Sequence, residues 1–278
     1  MSTFDFSSWR AQRTKRFESS LFSVFQHGPP NIREAVQYPL KTGGKRIRPL
    51  FVYAAAEAFA SHNEQSALCS ALSIEMIHTY SLVHDDLPCM DNDDMRRGKP
   101  TVHKQYNEAT ALLVGDSLLT EAFAVLSDSP HLTHVLPVIA KAAGIAGMIG
   151  GQSMDIGFEG AIEDVETLTT LHKGKTGALI QASALLGGIS AGASAQDREI
   201  LKTYGEAVGM AFQLADDLLD EEEDQAEDGP PSFVKLLGAE KTKEKANQYY
   251  QQAIQACSQL PHPEALQPLA TFTIHRTY

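Results

Sequence analysis

Residues 72–91 read LSIEMIHTYSLVHDDLPCMD, an apolar run that ends in closely spaced aspartates. Its apolar side chains recur at helical spacing and therefore define one face of an amphipathic α-helix. The residues on that face are Leu72, Met76, Ile77, Tyr80 and Val83. Pro88 has no amide proton and disfavours helix at the residue before it, so we expect the helix to end near Leu87. The chain can then fold Asp91 back toward Asp85.

A second apolar run, VGMAFQLADDLLD at residues 208–220, ends in the same way. Asp216 and Asp220 are four residues apart, and like charges at that spacing destabilise a helix by about 0.2–0.5 kcal/mol. One acidic run is usually a solvated helix end, but two such runs behind buried helices indicate a site for divalent metal. Oxygen ligands with few neighbouring His or Cys residues suit Mg²⁺, which keeps several waters and completes its shell with substrate phosphates.

The rest of the chain also has helical periodicity. Alanine, leucine and glutamine dominate segments such as EATALLVGDSLLTEAFAVL (108–126) and EKANQYYQQAIQACSQL (244–260), whereas alternating strand-like segments are scarce. We therefore predict an all-α chain in which residues 1–278 form a single domain. Helix breaks are expected where Gly, Pro or Ser cluster, and the acidic run 220–228 is expected to be a loop. The predicted breaks are residues 27–31, 127–131, 191–196 and 227–232.

Composition argues against several classes of protein. The chain carries 23 Lys and Arg against 35 Asp and Glu, a formal net charge of -12, so a nucleic-acid partner is not expected. There is no continuous apolar signal region near the N-terminus and no uncharged apolar stretch of about 18 residues. We therefore expect a cytoplasmic protein without a stable membrane anchor. Cys69, Cys89 and Cys257 lack the spacing of a zinc site or a disulfide framework.

Basic residues are concentrated in three short segments that have the character of anion sites. KTGGKRIRP (41–49) combines two glycines, which let a backbone approach a phosphate closely, with arginines that offer a fixed fork to its oxygens. MRRGKPTVHK (95–104) follows the first acidic cluster. In HKGKTGALIQASALLGG (172–188), Thr176 precedes a long apolar run, which is typical of a helix start. A helix start is also a ready anion site.

These segments together resemble one family, the trans-isoprenyl diphosphate synthases (polyprenyl synthetases), and within it the bacterial farnesyl diphosphate synthases. The match runs from about Asn31 to the end of the chain through motifs in one order: GGKRIRP, EMIHTYSLVHDDLPCMDNDDMRRGKPTVH, GGQSMD, KTG, FQLADDLLD and HRTY. The resemblance implies an all-α fold of about ten or more helices around a central cavity, with the two aspartate motifs facing each other across it. It also implies a homodimer.

The resemblance assigns roles to individual residues. The first Mg²⁺ motif corresponds to Asp85, Asp86 and Asp91, and the second to Asp216, Asp217 and Asp220. The isopentenyl diphosphate site corresponds to Lys45, Arg48, His78 and Arg97. Residues that hold the allylic diphosphate or its reacting end correspond to Arg96, Lys175, Thr176 and Gln213. Gln152 and Asp155 match a pattern that lines the cavity, and the family uses about three Mg²⁺ ions with substrate bound.

The residues fit this chemistry on their own terms. Breaking the C–O bond of an allylic diphosphate leaves a delocalised carbocation and a highly charged leaving group, so the main catalytic demand is charge stabilisation at the diphosphate. Metal held by the carboxylates of Asp85, Asp86 and Asp216 would provide it, together with Arg96 and Lys175. The expected reaction joins isopentenyl diphosphate to dimethylallyl or geranyl diphosphate and gives farnesyl diphosphate.

Product length is predicted from Tyr80, which lies five residues before Asp85, or about 7.5 Å along the helix axis. A growing isoprenoid tail would run there, and a bulky ring should form the floor of its pocket. In similar enzymes an aromatic residue at this place accompanies a fifteen-carbon product, whereas small residues accompany twenty carbons or more. Ser81, the small neighbour, leaves a geranylgeranyl diphosphate synthase open as the alternative.

Two other interpretations and one departure from the family pattern bear on the function. A terpene cyclase needs no second diphosphate site, so GGKRIRP and His78 argue against it. A non-catalytic prenyltransferase subunit would be expected to lose acidic-motif residues, and both motifs are intact. The departure follows the second motif, where the family usually has Gly-Lys but this chain has Gly229, Pro230 and Pro231, with Lys235 nearby. A positive charge is therefore missing from that loop.

Overall fold

The computed structural model describes residues 4–157, 162, 164–219 and 231–274, and the described chain is almost entirely helical. Pro230, the whole predicted acidic loop (220–228, including Asp220) and the final HRTY motif lie outside these residues. The all-α prediction is confirmed. Contacts divide the chain into two compact units, unit I (residues 7–50 and 64–132) and unit II (residues 1–6, 51–63 and 133–278, where described). The prediction of one domain over residues 1–278 stays a prediction.

The helices begin and end close to the predicted breaks. From the N-terminus to residue 126 they are α1 (Phe6–Val24), α2 (Pro30–Lys41), α3 (Ile47–Glu57), α4 (Glu64–Asp85), α5 (Val102–Gln105) and α6 (Glu108–Leu126). The remaining ones are α7 (Leu132–Ala143), α8 (Met148–Gly157), α9 (Val165–His172), α10 (Ala178–Ser190), α11 (Ala195–Leu219), α12 (Phe233–Leu237), α13 (Ala239–Cys257) and α14 (Leu266–Ile274). A π-helical turn, Lys173–Gly177, joins α9 to α10.

Unit I is built around α4. This helix is buried on most of its surface, because apolar and small residues occupy nearly every position between Ser66 and Val83. Helix α6 packs along it, and the ring of His84 at the end of α4 donates from Nε2 to the carbonyl oxygen of Leu112 on α6 at 3.1 Å. The C-terminal end of α4, where the first aspartate cluster lies, is therefore fixed in place by its neighbour.

Unit II is built around α11, which packs against α10 and α13. Its largest fully buried side chain is Tyr204, whose hydroxyl donates to the carbonyl oxygen of Leu266 at 2.7 Å. The ring of Phe51 meets the ring of Tyr204 edge-on, with centroids 5.9 Å apart. These contacts hold the helix that carries the second aspartate cluster at its C-terminal end.

Two segments, Glu108–Leu126 and Leu132–Gly157, are long and apolar enough to cross a membrane by length and composition. The expectation that the chain has no membrane-length apolar stretch missed them, because it required the stretch to be uncharged. The core helix of a soluble protein passes the same test, so the two segments are weak evidence for a membrane span. The absence of a membrane anchor stays a prediction.

Candidate active site

The first aspartate cluster has the predicted geometry. Helix α4 ends at Asp85, just before the expected position, and the backbone N–H of Asp91 donates to the carbonyl oxygen of Asp85 at 2.9 Å. The chain therefore folds back on the helix end, as the position of Pro88 predicts. Asp85 is half-buried, Asp86 is buried and Asp91 is exposed.

Asp86 forms an ion pair with Arg96. The Nε and Nη2 atoms of Arg96 lie 2.7 and 2.6 Å from Oδ1 of Asp86, and Nη2 also lies 3.3 Å from Oδ2 of Asp93. Burial raises the pKa of the Asp86 carboxyl, and the ion pair with Arg96 opposes that shift. Asp86, a predicted metal ligand, is therefore neutralised by Arg96, a predicted diphosphate ligand. For Asp86 to bind metal and Arg96 to bind diphosphate, this ion pair would have to open.

A short hairpin presents Arg96 and Arg97 of the basic segment 95–104, and the sequence did not predict it. Strands β1 (Met95–Arg96) and β2 (Lys99–Pro100) pair antiparallel, with Met95 opposite Pro100. The two turn residues, Arg97 and Gly98, have φ values of 54° and 73°, which is the backbone geometry of a two-residue hairpin turn. Arg97 donates from Nη1 to the carbonyl oxygen of Gly43. The hairpin is thus connected to the glycine loop at residues 43 and 44.

Positive charge surrounds His78 in unit I. Burial holds the pKa of His78 well below its usual range, and the neighbouring cations Arg48, Arg97, Arg96 and Arg46 lower it further. His78 is therefore neutral at physiological pH and can donate one hydrogen bond from its ring. The structure brings together three of the four residues predicted to bind isopentenyl diphosphate, His78, Arg48 and Arg97. The fourth, Lys45, lies exposed just before α3.

In unit II, Asp216 and Asp217 of the second aspartate cluster lie in the last turn of α11. Asp217 is 5% exposed and accepts two hydrogen bonds, from Nε2 of Gln213 at 3.0 Å and from the backbone N–H of Phe233 at 2.7 Å. Oε1 of Gln213 accepts in turn from the hydroxyl of Thr176 at 3.2 Å. Asp217 thus holds the start of α12, whereas its neighbour Asp216 is half-buried and lines an open cleft.

This cleft of about 290 Å³ is lined by two aspartates of the second motif and by four other predicted residues. Its lining includes Asp216, Asp217, Gln213, Thr176, Lys175 and Asp155. Nζ of Lys175 lies 2.5 Å from Oδ2 of Asp155. His172, which the sequence analysis did not single out, also lines the cleft, and burial lowers its pKa to about 4. The cleft therefore places one lysine among three carboxylates.

Of the two interpretations of Thr176, a capped helix start and an anion ligand, the structure excludes the first. The helical segment starts at Val165, where the side chain of Asp164 accepts from the N–H of Thr167 at 2.8 Å, and continues through the π-helical turn into α10. The wider turn inserts an extra residue and re-aims the side chains around it, and such turns are frequent at functional sites. Thr176 therefore contributes its hydroxyl to Gln213 and does not cap a helix.

Tyr80 is 6% exposed and packs edge-on against the ring of His84, with centroids 5.8 Å apart. Its hydroxyl is buried without a hydrogen-bond partner in the described part of the chain. Ser81 donates to the carbonyl oxygen of His78 at 2.9 Å, so its side chain is directed back along the helix. Of the two residues proposed to control product length, Tyr80 places a bulky buried ring at this position, and the side chain of Ser81 is small and bonded to its own helix.

The aspartates suit Mg²⁺, which shares its coordination between protein, water and substrate, better than they suit a metal whose ligands all come from the protein. Within the described residues no three His, Cys, Asp or Glu side chains converge as a metal-binding group. Mg²⁺ is usually bound through one or two carboxylates, with waters and substrate phosphates filling the other positions. A sparse set of carboxylates with Arg96 and Lys175 nearby is compatible with that coordination.

Glu75 is a buried charged residue that sequence reasoning missed. It is 4% exposed on α4, and Oε1 accepts from Nη1 of Arg46 at 2.9 Å. A signal was present in the sequence, because Glu75 is a single charged residue within the apolar run LSIEMI. A charge buried in such surroundings requires a paired partner.

Comparisons with known proteins identify the family of the chain. The family model described as Polyprenyl synthetase matches residues 29–259. The chain is 39% identical to the farnesyl diphosphate synthase of Haemophilus influenzae over 95% of each chain. It is 40% identical to the Arabidopsis thaliana heterodimeric geranylgeranyl pyrophosphate synthase large subunit 1, over 91% of this chain and 74% of that protein. The structure is similar to the Helicobacter pylori geranyltransferase complexed with magnesium and isoprenyl diphosphate, with a TM-score of 0.80, 33% identity, and 99% and 96% of the two chains covered.

Proposed function

Because the chain belongs to the polyprenyl synthetase family, we propose that it condenses isopentenyl diphosphate with dimethylallyl and geranyl diphosphate to give farnesyl diphosphate. The observation that carries the proposal is that each unit places a cation beside a helix-end aspartate cluster. Asp86 is paired with Arg96, and the cleft beside Asp216 contains Lys175. Such pairs suit a highly charged substrate that arrives with metal.

The first step is ionisation of the allylic substrate at its C1–O bond. When bound, Mg²⁺ would neutralise charge on the diphosphate as that bond breaks. Its proposed ligands are Asp85, Asp86 and Asp91 of the first motif, and Asp216, Asp217 and Asp220 of the second. Arg96 and Lys175 are the cations proposed to bind the allylic diphosphate. Thr176 and Gln213, already hydrogen-bonded to each other, would position its reacting end. The hydrogen bond between Thr176 and Gln213 orients these two side chains before substrate binds, which reduces the reorganisation that electrostatic stabilisation requires.

The second step uses the basic cluster of unit I. Lys45, Arg48, Arg97 and neutral His78 would bind the diphosphate of isopentenyl diphosphate and hold its double bond toward the allylic cation. The double bond attacks C1, a new C–C bond forms, and the proton lost from the adjacent carbon passes to the released diphosphate. The protein supplies orientation and excludes water, so no nucleophilic side chain is needed.

We also propose that the enzyme is a cytoplasmic homodimer. Helix α6 exposes Leu112, Leu113 and Phe123, with 49%, 56% and 36% of their surfaces accessible. Leucines exposed on adjacent positions of one helix are typical of a surface that another subunit covers. We propose that a second copy of the chain covers this surface, because the family resemblance implies a homodimer.

Incubation of the purified protein with labelled isopentenyl diphosphate, each allylic primer and Mg²⁺ tests the proposed reaction. We expect farnesyl diphosphate as the main product by chromatography and loss of turnover when EDTA removes the metal. Turnover that persists in EDTA would refute the metal role. A dominant twenty-carbon product would establish the geranylgeranyl alternative, and lack of turnover with every primer would favour a non-catalytic subunit.

Replacing Tyr80 with alanine is expected to shift the products toward twenty carbons and beyond. Cutting a buried ring to a methyl group opens a cavity that a further prenyl unit can occupy. Tyr80→Phe is the matched control, because it keeps the ring and removes only the unpartnered hydroxyl. Product chromatography should give the normal product for Tyr80→Phe. A fifteen-carbon product from Tyr80→Ala would place the floor of the pocket elsewhere.

A further inference from the structure

The loop between α2 and α3 has a backbone that needs external support. Gly43 and Gly44 have φ values of 94° and 148°, and Arg46 has a φ of 50°, a region that residues with side chains rarely adopt. A Cβ atom at Gly44 would lie 2.8 Å from Nη1 of Arg97, so only glycine allows that guanidinium to approach. The two glycines adopt such angles readily, so Arg46 is the residue of this loop whose backbone conformation is unfavourable and has to be held by contacts elsewhere.

The side chain of Arg46 stabilises the loop through contacts with neighbouring helices. Its Nη1 donates to Glu75 on α4 at 2.9 Å, and its Nη2 donates to the carbonyl oxygen of Leu40 on α2 at 2.6 Å. Its Nε lies 3.2 Å from Glu18 on α1. One guanidinium thus connects the loop to three helices of unit I. Arg46 is 3% exposed, and its nitrogen atoms are directed at these protein acceptors, so it does not offer its charge to a ligand.

The residues on either side of Arg46 have the opposite character. Lys45 is exposed, and Arg48, in the first turn of α3, is half-buried and acts electrostatically on His78. His78 itself follows Glu75 by three residues and so lies one helical turn beyond the anchor of Arg46. The ion pair between Arg46 and Glu75 therefore sets the distance between the loop and the helix that together carry the proposed isopentenyl diphosphate ligands.

We propose that Arg46, acting through Glu75, is a positioning residue for the second substrate: it fixes Lys45 and Arg48 relative to His78 and so determines the affinity for isopentenyl diphosphate. This inference rests on the proposed function, since it requires Lys45 and Arg48 to bind that diphosphate. It predicts a selective defect. Misplacing these cations weakens the binding of the isopentenyl substrate and leaves the binding of the allylic substrate, and the ionisation step, as they were.

Two variants at Arg46 distinguish a role in positioning the substrate ligands from a role in stabilising the fold. Arg46→Lys keeps the charge but loses the fork that reaches three acceptors at once. Arg46→Met with Glu75→Leu replaces the buried pair by apolar side chains, a change that often preserves stability. Arg16→Met is the matched control, because Arg16 forms an exposed ion pair with Glu64 at 3.0 Å, also between α1 and α4. Lys45→Met tests the proposed ligand itself.

Each variant is measured by steady-state kinetics, by thermal unfolding and by calorimetric binding of isopentenyl diphosphate without an allylic primer, so that no turnover occurs. For both Arg46 variants we expect the KM and the Kd for isopentenyl diphosphate to rise on the order of 10- to 100-fold. The KM for geranyl diphosphate and kcat should stay within about twofold. Arg16→Met should match the unaltered enzyme in all three measurements.

The outcomes distinguish the inference from the function on which it rests. If Lys45→Met leaves the affinity for isopentenyl diphosphate unchanged, the proposed binding site is wrong. If Lys45→Met weakens that affinity but the double variant, folded and thermally stable, binds normally, Arg46 has a structural role alone. Equal losses for both substrates would likewise overturn the positioning role.

Discussion

Asp85→Ala and Asp216→Ala are each expected to lower kcat on the order of 10³-fold while the protein remains folded. Both carboxylates are half-buried at the C-terminal end of a helix, and Asp216 lines the cleft beside Lys175. Removing either one takes away a proposed metal ligand at a position that is in contact with solvent and outside the core. Turnover with Mg²⁺ and the thermal unfolding temperature are the two measurements.

Asp217→Ala gives the contrasting result that sharpens this test. Asp217 is buried and accepts from the backbone N–H of Phe233 at 2.7 Å, so its loss leaves a buried donor unpaired and should cost about 1–3 kcal/mol of stability. Activity and stability should therefore fall together at Asp217 but separate at Asp216. Glu199→Ala, an exposed carboxylate on the same helix, serves as the control. Near-normal turnover of Asp85→Ala or Asp216→Ala would remove these residues from the metal site.

The features that the sequence predicted well are those controlled by neighbouring residues. The helical stripe before Asp85 and the missing amide proton of Pro88 are local properties, and together they predicted both the end of α4 and the return of Asp91. The breaks at residues 127–131 and 191–196 also follow from Gly, Pro and Ser content alone. Local chemistry therefore sufficed for the helices and for the position of the first aspartate loop.

The features that the sequence missed depend on contacts between distant residues. Thr176 has the local signature of a helix start, but the preceding helix α9 continues into it and a π-helical turn absorbs the difference. Arg46 is one of several cations in KTGGKRIRP, and nothing local distinguishes it from Lys45. Its burial appears only when Glu75, 29 residues further along the chain, is placed beside it. Tertiary pairing overrides local preference in both cases.

Electrostatic pairing in the site was also beyond sequence reasoning. Arg96 and Asp86 were assigned to different ligands, the diphosphate and Mg²⁺, yet in the structure they neutralise each other. Lys175 and Asp155 do the same in unit II. Each of these two proposed cations for the allylic diphosphate is therefore held by a carboxylate. On binding, each cation would exchange its carboxylate partner for the diphosphate, and Asp86 would exchange its arginine for metal. Opposite charges would therefore be paired both before and after binding.

Lys175→Met is expected to lower kcat/KM for the allylic substrate on the order of 10²- to 10³-fold. Nζ of Lys175 is held 2.5 Å from Asp155, in a cleft that also contains Asp216 and Asp217. Methionine keeps the length of the side chain and removes its charge, so the change deletes the proposed contact to the leaving diphosphate with little change in volume. The KM for isopentenyl diphosphate should be unaffected, because its proposed ligands lie in unit I.

Lys173→Met provides a control within the same π-helical turn. Lys173 is a similar lysine two residues away, but it is 46% exposed and pairs with Glu206 at 2.6 Å on the protein surface. Exposed ion pairs contribute about 0–1 kcal/mol, so Lys173→Met should retain normal kinetics for both substrates. Steady-state measurements on the two variants thus compare the same chemical change at two positions of one turn. Equal effects at the two positions would show that the loss comes from disturbing the turn, and normal turnover of Lys175→Met would show that the leaving diphosphate is stabilised without this lysine.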